Sequence, residues 1–260
     1  LRLDCLVVLG GNGSQKTANL LSEEGLNVIG LPKTIDNDLW GTDTTFGFQS
    51  AISLATEVID CIHTTAASHN RVFMVEIMGH KAGWLTLNAG IAGGADIILI
   101  PEIPYNIDSV ISKIKQRAAS GNGFTILAVA EGAVSKKESE MSKKEYKQHM
   151  AELLEKYPSV SYAIADKILK KTGKEVRVTV PGHMQRGGTP CAYDRVLSSR
   201  LGTTAALMIS REEYGNMVAI QNHVITSIPL KEIAGKLKTI DPKSDIITEA
   251  RLLGISFGDD

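Results

Sequence analysis

Asp36 and Asp38 stand two residues apart in the segment Leu31-Pro32-Lys33-Thr34-Ile35-Asp36-Asn37-Asp38, with an ammonium and a hydroxyl just ahead of them. These are the parts that phosphoryl transfer uses. One carboxylate orients an attacking hydroxyl, a second holds Mg2+, and cationic or dipolar groups take up the developing negative charge. In an extended segment the i, i+2 spacing puts both carboxylates on one face; in a turn they diverge, one toward a substrate and the other toward a metal. Asn37-Asp38 alone has the composition of an ordinary surface turn, and it is the company of Lys33 and Asp36 that favours chemistry.

A second loop bears on the same reaction. Leu9-Gly10-Gly11-Asn12-Gly13-Ser14 follows an apolar run and precedes a helical pattern beginning near Gln15. Glycines there let backbone N–H groups approach phosphate oxygens, the helix N-terminus adds a favourable dipole, and the Ser14 hydroxyl can cap the helix or donate to an oxygen. The loop has neither the GxGxxG nor the GxxxxGK[ST] spacing, and a tight strand-to-helix turn has the same composition. Its meaning depends on its neighbour: a strand at Val28–Leu31 would deliver Lys33, Thr34, Asp36 and Asp38 to the same edge of a parallel sheet, where ligands collect.

The elements that must position these loops are short apolar runs alternating with helical periodicity. Strands are expected at Leu3–Leu9, Arg71–Ile77, Ala95–Ile100 and Phe124–Val129, with an alternating candidate at Glu175–Val180. Helices are expected at Gln15–Glu24, Phe48–Thr65, Ala82–Ile91, Ile107–Ala119, Ala192–Ile209 and Leu230–Lys236. The spacing leaves room for crossover helices on both faces of mostly parallel sheets, so the fold class is α/β. Residues 135–155 read as one surface helix with a thin stripe of Met141, Tyr146, Met150 and Leu153, inserted between core elements.

The 260 residues, 43% of them hydrophobic, suffice for one large domain or two moderate ones. With 28 basic and 29 acidic residues the chain has no broad positive footprint, which argues against nucleic acid as a partner. Cys5, Cys61 and Cys191 cannot form a fully paired disulfide framework or a CxxC metal site, so a reducing, cytoplasmic setting is expected. No apolar run approaches 18 residues, and no membrane span is expected. Leu1 opens in a strand-like run with neither an initiator Met nor a signal-like segment, so the natural protein is expected to begin upstream.

Taken in order, several segments resemble the 6-phosphofructokinase family. They are Gly10-Gly11-Asn12-Gly13-Ser14, Pro32-Lys33-Thr34-Ile35-Asp36-Asn37-Asp38, Gly41-Thr42-Asp43, Ser68-His69-Asn70-Arg71, Glu76-Ile77-Met78-Gly79-His80, Ala130-Glu131-Gly132 and Pro181-Gly182-His183-Met184-Gln185-Arg186-Gly187-Gly188. The resemblance covers most of Leu1–Gly202 and implies two three-layer α/β/α domains with predominantly parallel sheets and a substrate cleft between them. Residues 1–47 and 185–230 would form the phosphate-donor domain, and 48–184 with 231–260 the fructose 6-phosphate domain.

The activity implied is transfer from ATP to the 1-hydroxyl of fructose 6-phosphate, with Mg2+. By resemblance Asp36 orients or deprotonates that hydroxyl, Thr34 contacts the transferred phosphate, Lys33 assists catalysis, and Asp38 and Asn12 serve the metal. Gly11, Asn12, Gly13 and Ser14 would cradle the donor. Met78, Gly79, His80 and Glu131 would meet the sugar or the transferring phosphate, and Arg71, Arg177, His183 and Arg186 the sugar phosphate. Arg71 and Arg177 are expected to complete a neighbouring subunit's site in a homo-oligomer, by family expectation an allosteric tetramer.

Four positions depart from or divide the family pattern. Asn12 replaces an aspartate that assists Mg2+ in many relatives, offering an oxygen without charge. His80 replaces an arginine, one hydrogen bond in place of a guanidinium fork. Gly13 leaves room for the α-phosphate of ATP where pyrophosphate enzymes usually carry aspartate, whereas Lys33 is common in pyrophosphate enzymes. ATP is the favoured donor and pyrophosphate the alternative. A catalytically weak sugar-phosphate-binding or regulatory subunit is a third reading.

Overall fold

The computed structural model describes residues 3–66, 68 and 71–259; His69 and Asn70 of the Ser68–Arg71 motif lie outside them. The first half of the chain runs β1 (Leu6–Gly10), α1 (Asn12–Glu23), β2 (Val28–Thr34), β3 (Phe46–Gly47), α2 (Phe48–Ala66), β4 (Val72–Ile77), α3 (Trp84–Ala92), β5 (Ile97–Leu99), α4 (Ile107–Ala119) and β6 (Thr125–Ala130). Then come α5 (Lys136–Ser139), α6 (Lys143–Lys156), α7 (Val160–Thr172), β7 (Val176–Thr179), a 3-10 helix at Gly182–Arg186, α8 (Ala192–Ser210), β8 (Asn216–Gln221), β9 (Val224–Pro229), α9 (Leu230–Ile233) and α10 (Asp245–Leu252). They divide into two compact units. The first takes the residues up to Ala51 together with Gly188–Lys238, the second Ile52–Gly187 together with the residues from Thr239 onward.

The first unit is built on the sheet β1-β2-β8-β9, with β3 beside β2. All pairs are parallel except the β8–β9 hairpin. Strand β2 is buried on both faces, as a central parallel strand must be. On one side Ile29, Leu31, Val218 and Ile220 pack against Leu197, Leu201, Ala205 and Met208, spaced by three or four along α8. On the other, Val28, Met217 and Ala219 meet Ala18 of α1 and Leu230 and Ile233 of α9. Residues 231–238 therefore stay with this unit.

The second unit is built on the all-parallel sheet β5-β6-β4-β7. Val72, Met74, Leu127 and Val129 form one apolar face with Val110, Ile111 and Ile114 of α4 and Val160, Ile164 and Ile168 of α7. Helix α3 covers the opposite face closely enough that a Cβ on Gly90 would lie 2.7 Å from Ile98 and 3.1 Å from Ala128. Both units are thus three-layered, and the α/β class expected from the sequence is the class observed.

Several elements differ from the expectations. Residues 135–155 fold as α5 and α6 rather than one helix, because Ser135 and Ser142 each open a capping box with the glutamate three residues on. Helix α9 is a single turn in place of Leu230–Lys236, ended where Gly235 takes φ +77°. Helices α7 and α10, strand β3 and the hairpin β8–β9 were not anticipated. Among the described residues no helix is long and apolar enough to cross a membrane.

Candidate active site

Parallel pairing brings the two loops of the first unit to one strand edge. Gly10 at the end of β1 is in register with Pro32 of β2, so the glycine loop and the acidic loop leave side by side. A Cβ on Gly11 would stand 3.3 Å from Thr34 Cβ, which shows how near the loops run. Gln15, 1% exposed, fixes both strand ends from below: its Nε2 donates to the carbonyls of Gly10 at 3.1 Å and Leu31 at 2.9 Å.

The helix begins three residues earlier than its sequence suggests. Gly11 is the extended N-cap, and Asn12, Gly13 and Ser14 make the first turn of α1, so Ser14 lies inside the helix and caps nothing. The first bond within the helix runs from Gln15 N to Gly11 O. The N–H groups ahead of it are the donors a helix start leaves open, and no acidic residue in the first turn competes for them. Gly13 has no atom within 4 Å of where a Cβ would sit. The Asn12 amide donates to Lys236 O at 2.8 Å, a bond an aspartate could not make, which leaves its oxygen as the remaining acceptor.

In the acidic loop Thr34 and Asp36 form a reciprocal pair: Thr34 Oγ1 donates to Asp36 Oδ2 at 3.1 Å, and Asp36 N donates to Thr34 Oγ1 at 3.1 Å. Lys33 is exposed and Asp36 half-buried, while Asp38 is only 5% exposed. Asp36 and Asp38 are separated by Asn37, whose φ of +52° turns the chain. The Asn37 oxygen accepts from Thr45 N at 3.1 Å and from Lys238 Nζ at 3.0 Å. Burial pushes the Lys238 ammonium down to about 8, against the pull of the Asp43 and Asp38 carboxylates.

The second unit gathers its residues by the same logic. Ile77 and Ala130 end β4 and β6 in register, so Met78-Gly79-His80 and Glu131 leave the sheet together. Glu131 Oε1 accepts from His80 N at 2.7 Å and Gly79 N at 3.2 Å, which fixes a turn in which Gly79 has φ +147° and His80 φ +54°. Gln185 in the 3-10 helix accepts from Met78 N at 3.2 Å and donates to Gly182 O at 3.2 Å, tying the His183–Arg186 segment to that turn. Met78, Glu131, His183 and Gln185 line one small cavity. His183 and Arg186 are exposed.

Arg71 and Arg177 lie elsewhere. Arg71 precedes β4 whereas Met78 follows it, and strand rise puts their Cα atoms roughly 23 Å apart. Arg177 pairs with Phe73 near the same amino-terminal end. Glu175 holds both arginines, 3.2 Å from Arg71 Nε and 2.7 Å from Arg177 Nη2. Within one chain, therefore, these arginines are not grouped with His183 and Arg186.

Sequence reasoning overlooked Gln15, Glu175, Gln185 and Lys238 as supports. These four act through partners in other chain segments, which no local motif announces. No group of three or more His, Cys, Asp and Glu side chains among the described residues is placed to hold a metal ion. Mg2+ commonly takes one or two carboxylates together with substrate phosphates and waters. The Asp38 carboxylate and the Asn12 amide oxygen would suit Mg2+ arriving with a phosphate donor, and do not make a self-sufficient metal cage.

Open helix-start amides beside a carboxylate-bearing loop, at the carboxyl edge of a parallel sheet, are what phosphate-handling α/β enzymes use. More narrowly, the chain matches the phosphofructokinase family over residues 1–209 and belongs to that family. It is 56% identical over 259 residues to the ATP-dependent 6-phosphofructokinase of Spirochaeta thermophila, a match covering 100% of this chain and 70% of that protein. Among solved structures, phosphofructokinase from Saccharomyces cerevisiae aligns with TM-score 0.74 and 32% identity, over 89% of this chain and 33% of the yeast chain. The pyrophosphate-dependent phosphofructokinase from Marinobacter aquaeolei aligns with TM-score 0.75 and 25% identity, over 94% of this chain and 64% of its own.

Proposed function

We propose that this protein transfers the terminal phosphoryl group of ATP to the 1-hydroxyl of fructose 6-phosphate, giving fructose 1,6-bisphosphate. The observation that carries this is the Thr34–Asp36 pair set against the open first turn of α1 in a phosphofructokinase-family chain. Asp36 orients the sugar hydroxyl and takes its proton, while Thr34 contacts the phosphoryl group in transit. Phosphoryl transfer needs positioning and charge stabilisation more than covalent help, and Lys33 with the amides of Asn12, Gly13 and Ser14 supplies the positive field. Bound Mg2+ would neutralise donor oxygens, with Asp38 and the Asn12 oxygen as protein donors.

On this reading the first unit handles the donor and the second the sugar phosphate. Met78, Gly79 and His80 line the sugar, Glu131 fixes that turn, and His183 and Arg186 grip the 6-phosphate with charge-assisted bonds. The distance of Arg71 and Arg177 from those residues supports their serving a neighbouring subunit. Mixing inactive Asp36→Asn subunits with inactive Arg71→Ala subunits, after dissociation and reassembly, is then expected to restore activity by forming sites with both residues intact. No restoration would place Arg71 in its own chain's site or outside catalysis.

Lys33, exposed at the end of β2, keeps pyrophosphate as the competing donor; the open space at Gly13 favours ATP. Steady-state assays of the native enzyme with fructose 6-phosphate and each donor test the assignment. Turnover with ATP is expected. Turnover with pyrophosphate alone would overturn the donor, and failure with both would overturn the activity.

A further inference from the structure

Building on the phosphoryl-transfer reading, we infer that Lys238 is a positioning residue for Asp36, acting through a clamp on the acidic loop. Its Nζ donates to Asn37 Oδ1 at 3.0 Å, Thr42 O at 2.8 Å and Asp43 O at 2.9 Å, which uses all three ammonium donors. The Lys238 backbone N donates to Asp38 O at 2.8 Å, and Leu237 forms an antiparallel bridge with Leu39. One segment from the end of the first unit therefore holds residues 38 and 39 along the main chain and residues 37, 42 and 43 through one side chain.

The clamp matters because of what Asn37 does. It is 4% exposed and adopts φ +52°, a left-handed conformation that asparagine tolerates better than most non-glycine residues when its side chain is hydrogen-bonded. Two bonds to its side-chain oxygen hold it, from Thr45 N and Lys238 Nζ. Asp36 is its covalent neighbour and is tied on its other side to Thr34 by the reciprocal bonds. Without the ammonium, Asn37 has one restraint in place of two, and the carbonyls of Thr42 and Asp43 lose a common donor. A displacement of about 1 Å at a reacting group can lower a rate by about 10²-fold.

The test compares Lys238→Met and the milder Lys238→Gln with the native enzyme. For Lys238→Met, kcat is expected to fall at least tenfold while KM for fructose 6-phosphate changes less than threefold. Hydrogen exchange at the Thr45 amide should quicken, while the β1 and β2 amides keep their protection. Lys238→Gln, which retains two donors, should lie between the two, and ethylammonium added to Lys238→Ala should recover part of kcat. Unchanged kcat with quickened Thr45 exchange would overturn the positioning role, as would a loss of kcat matched by loss of protection throughout β1 and β2. Absence of fructose 6-phosphate phosphorylation in the native enzyme would instead refute the activity, and the exchange measurement would still report on the clamp.

Discussion

Replacing Asp36 with asparagine is expected to lower kcat by about 10³-fold while leaving KM for fructose 6-phosphate within about threefold of its native value. A positioned general base contributes about 10²–10⁴ to a rate. The asparagine keeps an oxygen that can accept from Thr34 Oγ1 at the 3.1 Å seen for the aspartate, and its backbone N–H still donates to that hydroxyl. What it loses is the charge and the proton-accepting capacity. Equal falls in kcat and kcat/KM with unchanged thermal unfolding mark an interaction made in the transition state. A variant that binds fructose 6-phosphate as poorly as it turns over, or that melts early, would assign Asp36 to the fold.

Gly13→Asp is expected to lower kcat/KM for ATP by roughly 10²-fold and to spare pyrophosphate by comparison. Nothing lies within 4 Å of the Cβ position, so the side chain enters without displacing a neighbour. At the start of α1 the carboxylate meets the positive end of the dipole, so stability should hold or rise slightly. It would also occupy the amides that receive donor phosphates. Two unit charges about 4 Å apart at an effective dielectric constant near 20 repel by up to about 4 kcal/mol. The α-phosphate of ATP exposes the nucleotide to that penalty where pyrophosphate has no equivalent group. Steady-state kinetics with both donors check this, and an unaltered ATP preference would remove the structural reason for choosing ATP.

The sequence carried the elements whose signals are local. Helix α4 occupies the expected Ile107–Ala119, and the strands before the glycine loop, Met78 and Glu131 lie where apolar runs end. The hairpin β8–β9 escaped because its turn residues, Asn222 and His223, take φ +49° and +67° without a glycine to announce it. Helix α7 did carry a signal that went unread, Lys170 and Lys171 followed by Gly173 in the left-handed cap. So did the two Ser-Lys-Lys-Glu repeats that open α5 and α6. The start of α1 at Asn12 was masked by Gly13, a poor helix former on its own.

At the site, the loop motifs named Asp36, Thr34 and the glycine-loop amides because those residues are adjacent in the chain. Their supports are not. Gln15 bridges two strand ends, Gln185 reaches Met78 across 107 positions, and Lys238 reaches Asn37 across 201. Nothing about Lys236-Leu237-Lys238 as a string separates the lysine that clamps a loop from the exposed one beside it. The separation of Arg71 from His183 likewise follows only from the parallel order of β4 and β7, which puts the start and the end of a strand at opposite edges.

The most direct measurement is 13C NMR of the native enzyme acting on fructose 6-phosphate labelled at C1, with ATP and Mg2+, run beside the Asp36→Asn variant. A 31P–13C coupling growing at C1 with the native enzyme and absent on the same timescale with the variant is the expected result. Phosphate appearing only as the hydrolysis product, or coupling that grows equally fast without the Asp36 carboxylate, would contradict the account.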